Sequence, residues 1–325
     1  MPSNERRLAL RREITATVPE SPGVYTWVGA AGETQYIGKS RNLRRRMLSY
    51  LAPRATAIEA RTRHLGYAID SFEWRPAAGE LMALLLEDAL IKQHRPRHNE
   101  RQRDYLERRY LLLTHDRFPA CLVAEGAGAR AGTLFGPFKD RYFVAGLIEL
   151  VTEWFGLRAC ADAVPSRQSA RFDLGQCPGP CRGAITAEAY ERRVALARAF
   201  LEGDDTWLGR RIADAMEEAA AALRFERAAE LRETLETVAR FCERQRFLGT
   251  FRAGEVVVEE PTNGLTYHFA SGAVAEVRTA TGEAVAVPPE LTAPLTDPCF
   301  VLDRGNVVSG WLRQHATAAA GPGAR

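Results

Sequence analysis

SPGVYTWVGAAGETQYIGKSRNLRRRMLSYL, residues 21–51, decides the fold. PGVYTWV and TQYIGK are short runs of β-branched and aromatic residues, and the GAAGE between them reads as a Gly-containing hairpin turn. Tyr25 and Tyr36 therefore sit on adjacent strands. The continuation SRNLRRRMLSYL offers Ser40 as an N-cap and sets Leu43, Met47 and Leu51 on one stripe, with Arg45 and Arg46 off it. That pattern is an amphipathic helix with a basic outer face, which a buried sheet does not need.

Working outward, a short helix is expected near 56–66 and a third strand in AIDSFEWRP (68–76). GELMALLLEDALIKQ (79–93) has the Leu, Ala and Met density of a buried helix; Pro96 ends it, and RPRHNERQRD (95–104) follows as a basic loop. The first hundred residues form a small α+β unit. Beyond them, YLLLT (110–114) and ACLVAE (120–125) read as strands, GTLFGPFKD (132–140) as a Gly/Pro loop, and VAGLIELVTEWF (144–155) as a helix. A cysteine-containing segment precedes a helical stretch from Thr186. Residues 205–246 carry a helical-hairpin pattern, with Ile212, Met216, Ala220 and Leu223 on one arm and Ala228, Leu231, Leu235 and Val238 on the other. The last 75 residues read as short strands ending in a disordered tail, ATAAAGPGAR (316–325).

A chain of 325 residues, 46% hydrophobic, has material for about two ordinary domains. No apolar run reaches the length of a membrane span, and the charged N-terminus lacks the apolar core of a signal peptide, so a cytoplasmic location and no membrane partner are expected. Six irregularly spaced cysteines fit reduced thiols or metal ligands better than a disulfide framework. The net charge of +3 conceals an asymmetry. Residues 1–117 hold 21 Lys+Arg against 14 Asp+Glu, while 251–325 hold 5 against 8. The N-terminal part is the one suited to a polyanion. Lysine occurs only at 39, 92 and 139.

Tyr25, Tyr36, Lys39, Arg46, Tyr50, Glu87 and Asn99 together supply the groups that phosphodiester hydrolysis needs. A phenol is a weak base unless a neighbouring cation such as Lys39 favours its ionisation. Arg46 is suited to bidentate contact with phosphate oxygens, and Glu87 to a hard cation, one Mg²⁺ or Mn²⁺. Singly, each has an ordinary structural reading. The tyrosines fit half-buried strand positions and the arginines a solvated face, but Glu87 interrupts an apolar helix where a carboxylate needs a partner.

GVY (23–25), YIG (36–38), Arg46, and Glu87 within LLLEDALIKQHRPRHN resemble the GIY-YIG nucleases. With FGPF (135–138), CPGPC (177–181) and RFERAAELRETL (224–235) in the same order, residues 18–245 resemble the N-terminal half of the UvrC excision-repair nucleases. The layout resembles the shortened, Cho-type members, because only about 80 residues follow the hairpin, short for an RNase H-like second nuclease. The resemblance implies an α+β fold with a GIY-YIG nuclease domain at 15–105, a middle region at 106–204, a UVR-like hairpin at 205–246 and a small β-rich region at 247–325. It implies Tyr36 as general base aided by Tyr25 and Lys39, Arg46 on the scissile phosphate, Glu87 on the metal, and Tyr50 and Asn99 in support. His98 stands where the family commonly has tyrosine. Arg41, Arg44, Arg45, Arg95 and Arg97 are then the DNA-binding residues, and Phe225, Leu231 and Leu235 dock the partner UvrB. Relatives carry four cysteines resembling an iron–sulfur site. This chain has three there, Cys160, Cys177 and Cys181, a C-x3-C pair and one remote residue, which Cys121 completes only if the fold brings it near.

The implied function is metal-dependent nicking of damaged double-stranded DNA on the 3′ side of a lesion, by a monomer in a complex assembled by UvrA and UvrB. A UvrB-independent structure-specific nuclease and a non-catalytic repair adaptor are the alternatives.

Overall fold

The computed structural model describes residues 4–51, 69–99, 109–125, 130–138, 140–162 and 170–319. The helix expected at 56–66 and the basic loop beyond Asn99 lie outside them. The chain divides into two compact units, residues 1–104 with 250–325, and residues 105–249. The region expected at 247–325 falls, from residue 250 onward, in the same unit as the first hundred residues.

In the first unit, the hairpin strands β1 (Gly23–Val28) and β2 (Thr34–Ser40) pair with β3 (Ser71–Pro76) in an antiparallel sheet of order β2-β1-β3. Tyr25 lies opposite Gly38 and Trp27 opposite Tyr36, so strand alternation puts all four on one face. That face packs with α1 (Asn4–Thr17) and α2 (Leu43–Tyr50): Leu10, Ile14, Tyr25, Trp27, Leu43 and Met47 share one core. The cap of α2 is Asn42 rather than Ser40. The Asn42 side chain accepts the Arg45 N–H at 2.9 Å, while the Ser40 hydroxyl is engaged with the Asn42 backbone.

Helix α3 (Glu80–His94) packs on β1 and β2. Leu81, Met82, Ala83, Leu85, Leu86, Leu90 and Ile91 are buried, and Arg95 ends the helix in the left-handed region (φ 49°) just before Pro96. The C-terminal part adds the antiparallel meander β7 (Glu255–Glu260), β8 (Leu265–Ala270) and β9 (Ala273–Thr279). A long helix follows where short strands were expected, and it takes in the first residues of the expected tail, of which 320–325 lie outside the described residues. Its buried residues Val301, Arg304, Val308 and Trp311 recur at spacings of three and four. The buried Arg304 guanidinium is satisfied by the carbonyls of Gly272, Leu291 and Glu290.

The second unit is built on β4 (Arg109–Thr114), β5 (Cys121–Ala124) and β6 (Gly132–Phe138), in the order β5-β4-β6. β6 replaces the loop expected at 132–140. Its Gly and Pro are accommodated beside an irregularity in the pairing between Arg109 and Leu111. Four helices pack into the same core: α4 (Arg141–Phe155), α5 (Ala187–Glu202, capped by Thr186), α6 (Thr206–Ala221) and α7 (Phe225–Ala253). α6 and α7 are the arms of the expected hairpin, but Ala219 rather than Ala220 carries the buried stripe, and Leu223 lies exposed in the turn. With the last helix labelled α8 (Pro298–Ala319), no helix among the described residues is long and apolar enough to cross a membrane.

Candidate active site

The hairpin and α2 bring three tyrosines and one arginine together. Tyr25 is 1% exposed, and its hydroxyl hydrogen-bonds that of Tyr50 at 2.8 Å. The rings of Tyr25, Tyr36 and Tyr50 lie 5.8–6.2 Å apart, centroid to centroid. Arg46, one helical turn before Tyr50, donates through Nη2 to the Tyr50 hydroxyl at 3.1 Å and lies 4.9 Å from the ring centroid. Gly38 is required by this packing, because a Cβ there would stand 2.5 Å from the Tyr25 hydroxyl oxygen and 2.8 Å from Tyr36 Cε1.

Glu87 sits on α3, 7% exposed, and its Oε1 accepts the backbone N–H of Lys39 at 3.0 Å. Asn99 is 3% exposed and binds the same strand from its edge. Its Oδ1 accepts the Ile37 N–H at 2.9 Å and its Nδ2 donates to the Ile37 carbonyl at 2.8 Å. Asn99 therefore acts as a short extra strand on β2 and holds the segment that presents Tyr36.

Burial first, then Tyr50 and Glu87, push the Tyr36 phenol well above its ordinary value, with Arg46 opposing. Tyr25 is raised in the same way, by burial and then by Tyr50 and Tyr36. Lys39 does not supply the expected cation to Tyr36. Alternation turns Lys39 to the other face of β2, and its ammonium lies 3.8 Å from Glu80. The cation acting on Tyr36 is Arg46. Glu80 is the residue missed from the sequence: it also pairs with Arg41 at 2.6 Å, and burial of its carboxyl is outweighed by Arg41, Lys39 and His315, which hold it below its ordinary value. Its spacing of seven from Glu87, two helical turns on one face, was the available signal.

Of the five arginines expected to meet DNA, Arg41 is paired with Glu80, and Arg44 with Glu20 and the Val18 carbonyl. Arg45, Arg95 and Arg97 are exposed. In the hairpin, Leu231 is buried and Leu235 packs against the same core, so neither forms the outward docking face expected of it. Leu223 and Phe225 at the turn are 74% and 65% exposed.

Cys160 Sγ accepts from Arg158 Nη1 at 3.2 Å, Cys177 and Cys181 are partly buried, and burial pushes the Cys121 thiol up to about 12. Among the described residues no group of three or more His, Cys, Asp or Glu is placed to hold a metal ion, so the three cysteines do not converge as cluster ligands. A single cation on one carboxylate is a different case. Glu87 offers a hard oxygen donor, and positive charge there would offset the penalty that Glu87 and burial place on ionising Tyr36.

Residues 21–100 match the family described as the UvrC-like GIY-YIG domain, 109–200 the UvrC/Cho excinuclease middle domain, and 210–238 the UvrB/uvrC motif. The UvrABC system protein C of Dechloromonas aromatica (strain RCB) is 35% identical over 250 residues, 76% of this chain and 41% of that protein. Its counterpart in Salinispora arenicola (strain CNS-205) is 37% identical over 241 residues, 72% and 36% respectively. The chain thus spans about two-fifths of the length of these relatives. The magnesium-bound GIY-YIG N-terminal endonuclease domain of UvrC from Thermotoga maritima is 35% identical, covering 28% of this chain and 96% of that one, with a TM-score of 0.25.

Proposed function

The chain belongs to the UvrC family of GIY-YIG proteins, and from that premise we propose that it is a divalent-metal-dependent DNA endonuclease of excision repair. The finer reading is incision of cytoplasmic DNA on the 3′ side of a lesion, in a complex assembled by UvrA and UvrB. The observation that carries the proposal is a buried carboxylate, Glu87, held by the backbone of the strand that bears Tyr36, with Arg46 on the same tyrosine cluster.

Each residue has a defined task in this reading. Glu87 holds one Mg²⁺ or Mn²⁺, which when bound supplies Lewis-acid stabilisation of charge on the phosphate. Arg46, anchored by Tyr50, directs its remaining N–H groups to the phosphate oxygens and stabilises charge in the transition state. Once its own proton has passed to solvent, Tyr36 as phenolate takes the proton of the attacking water at its phenolic oxygen. Burial, Tyr50 and Glu87 disfavour that phenolate and Arg46 favours it, and a cation held by Glu87 would favour it further. Tyr25 and Tyr50 fix the positions of Tyr36 and Arg46. Asn99 keeps β2 in register with this site.

Exposed Arg45, Arg95 and Arg97 are the DNA contacts in this proposal, and Leu223 with Phe225 at the hairpin turn is the UvrB contact. The test is nicking of damaged plasmid by the protein with UvrA and UvrB, in Mg²⁺ and in chelator. Nicking that needs the metal supports the reading; nicking in chelator, or none in any condition, opposes it.

A further inference from the structure

Helix α3, which bears Glu87, begins without a cap of its own. Gly79 occupies the N-cap position with extended backbone (φ −152°, ψ 176°) and has no side chain to satisfy the first N–H groups. The missing acceptor comes from 180 residues away. Glu260, at the end of β7 and 1% exposed, accepts the Glu80 N–H on Oε1 at 2.6 Å. Its carboxylate is completed by Asn263 Nδ2 at 2.6 Å on Oε1 and the Tyr267 hydroxyl at 2.7 Å on Oε2. A Cβ on Gly79 would collide with that carboxylate and would stand 2.8 Å from Leu265 Cδ1, the end of a side chain that can turn aside, so the open position at the helix start and the remote acid are matched.

The same C-terminal segment reaches α3 at two further points. His315 of α8 lies 3.7 Å from Glu80, and Asp303 lies 3.4 Å from Lys92 in the last turn of α3. Glu80 and Glu87, seven residues apart, lie on one face of α3, and both meet Lys39, Glu80 at its ammonium and Glu87 at its backbone N–H. Whatever fixes the first turn of α3 therefore also fixes how Glu87 addresses β2.

We propose that residues 250–319 act as a brace on the metal-bearing helix, with Glu260 as a positioning residue that caps α3 in trans and so sets Glu87 for its cation. The inference rests on the reading of Glu87 as the metal ligand. The brace makes competence at the nuclease site depend on the C-terminal segment.

The test compares the full chain with Glu260→Ala, Glu260→Gln, Glu87→Ala and the double variant Gly79→Ser/Glu260→Ala. Mn²⁺ is the probe, its binding read by electron paramagnetic resonance without DNA, alongside amide exchange at Glu80–Ala83. Glu260→Ala is expected to speed exchange in that turn at least tenfold and to weaken Mn²⁺ binding by roughly tenfold, the scale for losing an outer partner of a metal ligand. Glu260→Gln keeps an oxygen acceptor and stays within about threefold of the parent. In the double variant, the hydroxyl introduced by Gly79→Ser caps the helix from within once the Glu260 carboxylate is gone, and restores both readings. The brace is overturned if Glu260→Ala leaves exchange and Mn²⁺ binding unchanged, or if Gly79→Ser does not restore exchange. Should Glu260→Ala not fold, recovery of the folded, Mn²⁺-binding protein in the double variant supports the brace and its failure overturns it. If Glu87→Ala binds Mn²⁺ like the parent, the metal assignment is what fails, and exchange with its rescue still decides whether Glu260 caps α3.

Discussion

Asn99 closes a two-bond ring on Ile37, accepting its N–H at 2.9 Å and donating to its carbonyl at 2.8 Å. The pair lies at the centre of the YIG segment, so it fixes the strand from which Tyr36 projects. Replacing Asn99 by Ala leaves a buried N–H and C=O without these partners, and stability should fall by about 1–3 kcal/mol. Nicking should drop at least tenfold at saturating DNA, with DNA affinity little changed. A variant that loses stability but keeps its turnover would reduce Asn99 to a purely structural clamp.

Tyr36→Phe removes the hydroxyl and its hydrogen bond with Tyr50, while the ring packing with Tyr25 and Tyr50 survives. The rate should fall by about 10²-fold or more, the scale for a lost acid–base group. A loss below about threefold in single-turnover nicking would make Tyr36 a packing residue.

The two ends of the hairpin should respond in opposite ways. Leu231→Asp puts a carboxylate into the core of the second unit and should cost about 3 kcal/mol or more in stability, whether or not a partner is present. Phe225→Ala at the exposed turn should leave the melting temperature within about 1–2 °C and reduce UvrB-dependent incision. If Phe225→Ala and Leu223→Ser both leave that incision unchanged, UvrB contacts another surface.

Acid should weaken the first unit through Glu80. Burial raises its pKa, but Arg41, Lys39 and His315 lower it further, to a net value below the ordinary 4.5. A depressed carboxyl contributes stability that is fully present above its unfolded value, and that stability is lost as pH falls through the lowered folded value. Urea midpoints should therefore decline below about pH 4.5, and Glu80→Gln should be less stable than the parent at pH 7 and closer to it at pH 3. An equal gap at both pH values would show that the ion pairs of Glu80 contribute nothing.

Much of this site is legible in the chain because its parts are local. Alternation in 23–28 and 34–40 places Tyr25 and Tyr36 on one face, and the Arg46/Tyr50 spacing of four sets both on one side of α2. What escapes sequence reading is long-range or one position off. The opening helix buries Leu10 and Ile14 but leaves Leu8 exposed among its charges, so its place in the core follows from the sheet it covers. β6 is masked by Gly136 and Pro137, and the hairpin stripe runs through Ala219, seven residues or two turns from buried Ile212, rather than Ala220. Lys39 looks like the partner of Tyr36 until alternation is applied, which turns it toward Glu80. The bond from Glu260 to the start of α3 joins residues 180 apart, and no local pattern announces it.

The central claim is that Glu87 carries the cation for strand cleavage. Its most direct test is incision of an end-labelled duplex with one defined lesion, by the parent and by Glu87→Ala, with UvrA and UvrB, in Mg²⁺. The parent should yield one cut on the 3′ side of the lesion that disappears in chelator. Glu87→Ala should bind the complex and the DNA as the parent does and cut at less than about one-hundredth of its rate, the loss expected when a cation that stabilises the transition state has no carboxylate to hold it. Incision by Glu87→Ala at near-parent rate, at the same position and with the same Mg²⁺ dependence, would contradict the claim.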